Sequence, residues 1–221
     1  HRIIVAADYA GELSALSNNP VAEPLYTDEE YAVGIAQVVT LPCQGGFEFV
    51  PVINASFAMN LLPDNEKGYE AETFRTMLHL LHHELCHVHD NNKKLDTIGT
   101  AWTDNPKDEF LIPIADKCWT EYVANFLSSE TATKDAVDII CDNFIDSIKR
   151  TKENIDADIR KYRSHGDLDR LVAIFRRHGH FLAKSAAYVL GFMDGLDTTL
   201  EKLSSEASGL LKGSYFEDTW I

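Results

Sequence analysis

His83-Glu84-Leu85-Cys86-His87 sets residue types at a spacing that can do chemistry. A helix turns about 100° per residue, so His87 lies about 40° round from His83 and one turn along, and both imidazoles can reach one ion. Glu84 stands about 100° to the side, beside the ion rather than on it, where a carboxylate can work on a metal-activated water. This HExxH pattern points to a zinc hydrolase. Phe74, Met77, Leu78, Leu81, Leu85 and Val88 gather on the opposite side, which predicts one face packed into a core and the other carrying the chemistry. Burying imidazole and carboxylate groups without a task would leave costly unsatisfied polar atoms, so the metal reading outweighs a merely structural helix. The helix is predicted from about Tyr69 to Val88. Gly68 and the turn-like Pro63-Asp64-Asn65 lie before it, and Asp90-Asn91-Asn92 offers a stop.

A catalytic zinc takes three protein ligands and keeps one position open, so one more His, Asp or Glu is needed. Glu121 is the best candidate. It falls in Ala115 to Leu127, which reads as a helix opened by Pro113 near its first turn. Trp119, Val123 and Phe126 form the apolar side of that helix, while Ile114, Cys118, Glu121, Ala124 and Asn125 share the other. Small Ala124 would permit close approach to the motif helix, and Asn125 could hydrogen-bond a ligand from outside. Asp90, three residues after His87, is the rival ligand, and Asp116, facing away from Glu121, a weaker one. Cys86 and Cys118 could also face the metal region, although small buried thiols are the simpler reading.

These residues resemble the gluzincin group of zinc metallopeptidases, in which HExxH is followed some tens of residues later by a glutamate ligand on a second helix. Within that group the chain looks most like the ImmA/IrrE family, whose pattern joins a His-Glu-Leu-x-His helix to a later Glu-x-x-Ala-Asn-x-Phe-Ala helix. The match runs through His83, Glu84, Leu85 and His87, then Glu121, Ala124 and Asn125. Two departures stand out: Phe126 directly follows Asn125, and no Leu-Leu-x-Pro ending comes after Leu127. A metzincin would need Gly at the position of Asp90 and His at that of Lys93, and a peptide deformylase Asp at that of Cys86. The resemblance covers roughly residues 50 to 130. It implies a zincin-like fold, one zinc, and peptide-bond hydrolysis by a regulatory intracellular protease.

The expected mechanism has zinc on His83, His87 and Glu121, with Glu84 as general base for the attacking water and then proton donor to the leaving amine. Donors to the oxyanion are sought late in the chain, among Tyr162, His165, His178, His180 and Tyr188. His79, His82 and His89 project about 40° or more away from His83 and are expected at the rim or surface. Two other classes stay open: a zincin-fold regulatory binding module that no longer cleaves, and a metal-dependent hydrolase of non-peptide amides. Iron, cobalt or nickel suits the same ligands.

The 221 residues include 35 acidic and 20 basic side chains, a net charge of −15, which disfavours nonspecific binding to nucleic acid or anionic membranes. The expected partner is a peptide or protein substrate. Cys43, Cys86, Cys118 and Cys141 are widely spaced with no CxxC pair, as in a reduced, cytoplasmic protein. No signal peptide or membrane-length apolar run is visible; the sequence does not begin with Met, so a trimmed leader stays compatible with it.

The elements that must position these groups read as α+β. Ile3–Ala7, Val33–Val39 and Phe47–Ile53 predict a small N-terminal sheet. Pro51 cannot donate to a ladder, which predicts an edge strand over the cleft, able to take up an extended peptide by strand addition. Asn91 to Ile112, with Gly99, Trp102 and Asn105-Pro106, reads as a long connection. Apolar residues at helical spacing recur from Ala136 to Tyr162, Leu168 to Leu203 reads as two more helices, and the tail from Ser204 has no clear pattern. The whole is expected to be one zincin-like metallopeptidase domain, with an N-terminal lobe of about residues 1–92 and a mainly helical C-terminal lobe of about 93–221.

Overall fold

The computed structural model describes residues 2–16, 28–29, 32–33, 35–62, 71–99 and 105–220. The chain divides into two units, His1–Trp102 with Glu130–Thr133, and Thr103–Ser129 with Lys134–Ile221. The architecture is α+β, with a small three-stranded mixed sheet and a mainly helical remainder.

The first unit opens with β1 (Ile4–Ala6) and α1 (Tyr9–Leu16), followed by a short hairpin of β2 (Asp28–Glu29) and β3 (Ala32–Val33). Then come β4 (Ala36–Cys43), β5 (Gly46–Asn54), α2 (Ala55–Ala58) and α3 (Ala71–Thr97). Strand order is β1-β5-β4, with β1 parallel to β5 (Ile4 opposite Val52) and β4 antiparallel to it (Ala36 opposite Ile53, Cys43 opposite Gly46). Ala6, Tyr9, Leu13 and Val52 form the core beneath this sheet.

The strand carrying Pro51 is therefore the central one, not the expected edge. The N–H of Asn54 donates to Ile35 O (3.0 Å). N–H direction alternates along a strand, so Val52 and Val50 also face β4, and Pro51 faces the β1 side, where pairing begins only at Val52. The proline sits where no ladder bond is required of it. Among the described residues β1 and β4 are the edges of this sheet.

α3 runs past the expected stop to Thr97. Asp90-Asn91-Asn92 is absorbed into the helix: Asn92 Nδ2 donates back to Val88 O (2.7 Å), and Asp90 pairs with Lys94 one turn on (2.8 Å). The helix ends instead at Gly99, whose φ of 72° suits glycine and whose N–H reaches Leu95 O at 3.1 Å. α3 lies whole within the first unit. The expected turn at Pro63-Asp64-Asn65, Gly68, the helix start at Tyr69, and Trp102 lie outside the described residues. Glu130–Thr133 joins this unit through hydroxyls: Thr133 meets Thr76 (3.3 Å), and Thr131 meets the Nδ1 atoms of His79 (3.2 Å) and His82 (2.9 Å).

The second unit holds α4 (Pro106–Ser128), α5 (Lys134–His165), α6 (Leu168–Gly195), α7 (Leu200–Leu203) and α8 (Ser205–Leu211). α4 begins earlier than expected, with Pro106 at its start and Pro113 inside it. α6 is one helix where two were expected, passing unbroken through Gly179 and Gly191. Its capping explains its start, since Asp167 Oδ1 accepts from Arg170 N–H (3.0 Å). The tail beyond Ser204 is partly helical, with Ser204 capping α8 through Ala207 N–H (3.2 Å). Gly191 has a packing reason: a Cβ there would stand 2.4 Å from Tyr122 O, so the two helix backbones meet closely only because it is absent. Phe144, Ile145, Ile148, Leu182, Ala186, Val189, Leu200, Ala207 and Leu211 make the core of this unit. No described helix is long and apolar enough to cross a membrane.

Candidate metal centre

α3 carries His83, Glu84 and His87, all buried, together with His79, Cys86 and Asp90. Of the apolar residues expected inside, Met77 is buried and Phe74, Leu81 and Val88 are half-buried, but Leu78 is 42 % and Leu85 43 % exposed. The motif face is thus an inner face of the helix. On α4 the side that carries Glu121 is the buried one. Glu121, Ala124 and Asn125 are buried, while Trp119 is 55 % and Phe126 41 % exposed.

The rings of His83 and His87 meet edge to face with centroids 4.6 Å apart, as helical spacing dictates. His83, His87 and Glu121 form a buried group whose ligand atoms all lie within 4.8 Å of one another, and this group could hold a metal ion. Tetrahedral zinc with bonds of about 2.0–2.2 Å sets ligand atoms roughly 3.3–3.6 Å apart, inside that upper limit. Two imidazoles and one carboxylate are also the donor types that a catalytic zinc takes. The residues present therefore fit the group.

Glu84, next in sequence to His83, is 5 % exposed. Tyr9 lies within electrostatic reach of it: burial first, and then the charge of Glu84, hold the phenol well above its ordinary pKa. The Tyr9 hydroxyl has no hydrogen-bond partner among the described residues. On α4, Asn125 Nδ2 donates to the backbone carbonyl of Glu121 (2.9 Å), so its amide braces the helix turn that bears Glu121 instead of a ligand side chain.

Asp90, the rival ligand, is buried but engaged with Lys94 and lies outside the metal-competent group. Asp116 is likewise outside it. Cys86 is buried, and burial pushes its thiol up to about 11; it supplies no ligand atom to that group. Cys118 is also raised, by burial above all, with Lys184 opposing and Glu121 adding to the effect. Cys43 is exposed and Cys141 buried. His79, expected at the rim, is buried against Thr131, whereas His89 is exposed.

Of the five residues considered as oxyanion donors, His178 is buried with its Nε2 3.6 Å from Asp158, and exposed His165 meets the ring of Tyr162 edge to face. His180 borders an apolar pocket with Val172 and Phe175. Tyr188 connects to a metal-group residue through Lys184, whose Nζ lies 5.6 Å from its ring centre and 3.1 Å from Glu121 Oε1. Lys184 escaped the sequence reading. Its only signal there is a lone cation among Leu182, Ser185, Ala186 and Ala187, small and apolar residues that are all buried.

No protein-family model, curated protein or solved structure matches the chain.

Proposed function

We propose that this chain is a zinc-dependent peptidase of zincin type, with His83, His87 and Glu121 as the metal ligands and Glu84 as general base. One observation carries the reading: the three ligand atoms gather in a buried group, with the carboxylate of the HExxH pattern buried next to it in sequence. A zinc ion held there would supply a Lewis acid that lowers the pKa of a bound water towards about 7. Glu84 accepts the proton of the attacking water and passes it to the leaving amine, acting first as base and then as acid. Burial strengthens its electrostatic action, because little solvent intervenes.

Metal analysis by mass spectrometry tests the site, on protein purified without added metal, wild type beside Glu121→Ala. About one zinc per chain in the wild type, lost or weakened in the variant, is expected of a three-ligand site. A wild type that stays empty after zinc is supplied overturns the reading. Cleavage of an unfolded protein substrate by the wild type and not by Glu84→Gln separates a peptidase from a binding module.

A further inference from the structure

Lys184 belongs to α6 and Glu121 to α4, and the close approach of these helices at Gly191 brings them within reach. Lys184 stands two turns before Gly191, on the same face at 3.6 residues per turn. Its ammonium nitrogen forms an ion pair with Glu121 Oε1 at 3.1 Å, with side chains 30 % and 11 % exposed. The Tyr188 ring, one turn further along α6, lies beneath the same ammonium.

A carboxylate can grip a metal with one oxygen or two. When a partner that accepts a proton bonds an imidazole ligand, the ligand gains donor strength; an ammonium bonded to a carboxylate ligand does the reverse and withdraws charge. It also repels a nearby divalent cation, in a buried setting where water screens poorly. We propose that Lys184 is a positioning residue of the metal centre: by holding Oε1 of Glu121 it restricts that ligand to its other oxygen, leaving the metal weakly held and open to substrate. This rests on the zinc reading above. In charge terms, one carboxylate and two neutral imidazoles sum to −1, and Lys184 brings the group to zero.

The test compares wild type, Lys184→Met, Lys184→Gln and Lys184→Arg, each first checked by circular dichroism for an unchanged fold. Zinc affinity is read by chelator competition, and coordination by the visible absorption of the cobalt(II)-loaded protein, which weakens as coordination rises above four. Lys184→Met and Lys184→Gln are expected to bind zinc about tenfold or more tightly, from loss of the opposing charge, with a weaker cobalt band as Glu121 engages both oxygens. Lys184→Arg keeps the charge and is expected within about threefold of wild type with its band retained. A lysine that merely braces the helices predicts the opposite sign, so weaker or unchanged binding in Lys184→Met and Lys184→Gln overturns the inference. A wild type that binds no metal overturns the peptidase reading and this one together, whereas a metal-binding wild type with unaltered variants overturns only this one.

Discussion

α3 and α5 are both long amphipathic helices, and each buries seven residues, but they bury different things. Inside α5 lie Val137, Cys141, Phe144, Ile145, Ser147, Ile148 and Thr151, none of them charged. Inside α3 lie Met77, His79, His83, Glu84, Cys86, His87 and Asp90, five of them histidines or carboxylates. Burial of apolar area stabilises by about 25 cal/mol per Å², whereas desolvating an ionisable group opposes folding unless a partner compensates it. α5 is arranged as a folding scaffold. α3 gives up that stabilisation along its inner face, and the place where it does so is the place where three ligand atoms converge.

Substitutions on the two helices should therefore act on different quantities. The largest effect is expected from Glu84→Gln, a loss of about 10²–10⁴ in kcat with zinc content unchanged, measured by turnover of a peptide substrate. Equal loss of zinc would show that Glu84 serves the site's structure instead. Phe144→Ala, in the core beside Phe216 and Trp220, is expected to cost about 3–5 kcal/mol in chemical denaturation. Gly191→Ala is next, about 1–3 kcal/mol by the same assay, because the added methyl meets the Tyr122 carbonyl, which cannot swing aside. The smallest is Leu85→Ser, within about 0.5 kcal/mol despite lying inside the HExxH motif. A large cost there would mean that the outward face of α3 is covered, and would break the contrast with α5.

The candidate ligands on α3 were legible because a five-residue pattern fixes their relative angles on a helix. The way the helix faces was not. Hydrophobic periodicity marks a side, and the ordinary assumption that the apolar side turns inward failed at Leu78 and Leu85, where the ionisable side is the buried one. Strand positions were readable from β-branched runs, but Pro51 misled, because the rule against proline in a central strand lapses where the neighbouring strand is too short to reach it. α1, with buried Tyr9 and Leu13, went unnoticed, since eight residues carry little periodicity. Turn-forming residues at Asp90 to Asn92 likewise gave a false stop: each found a partner or room within the helix. Lys184 could not be inferred at all, because its role depends on which two helices touch.

The paired contacts of His79 and His82 with Thr131 fix something about protons. A hydroxyl has one hydrogen to give, so at most one of the two Nδ1 atoms can receive it, and the other must be the giver. At least one of these imidazoles consequently carries its proton on Nδ1, and while neutral it presents Nε2 as a bare acceptor. One threonine thus sets the tautomer of a ring within a turn or so of the first proposed ligand, and Thr131→Val should release that choice, visible in the ring-nitrogen NMR shifts.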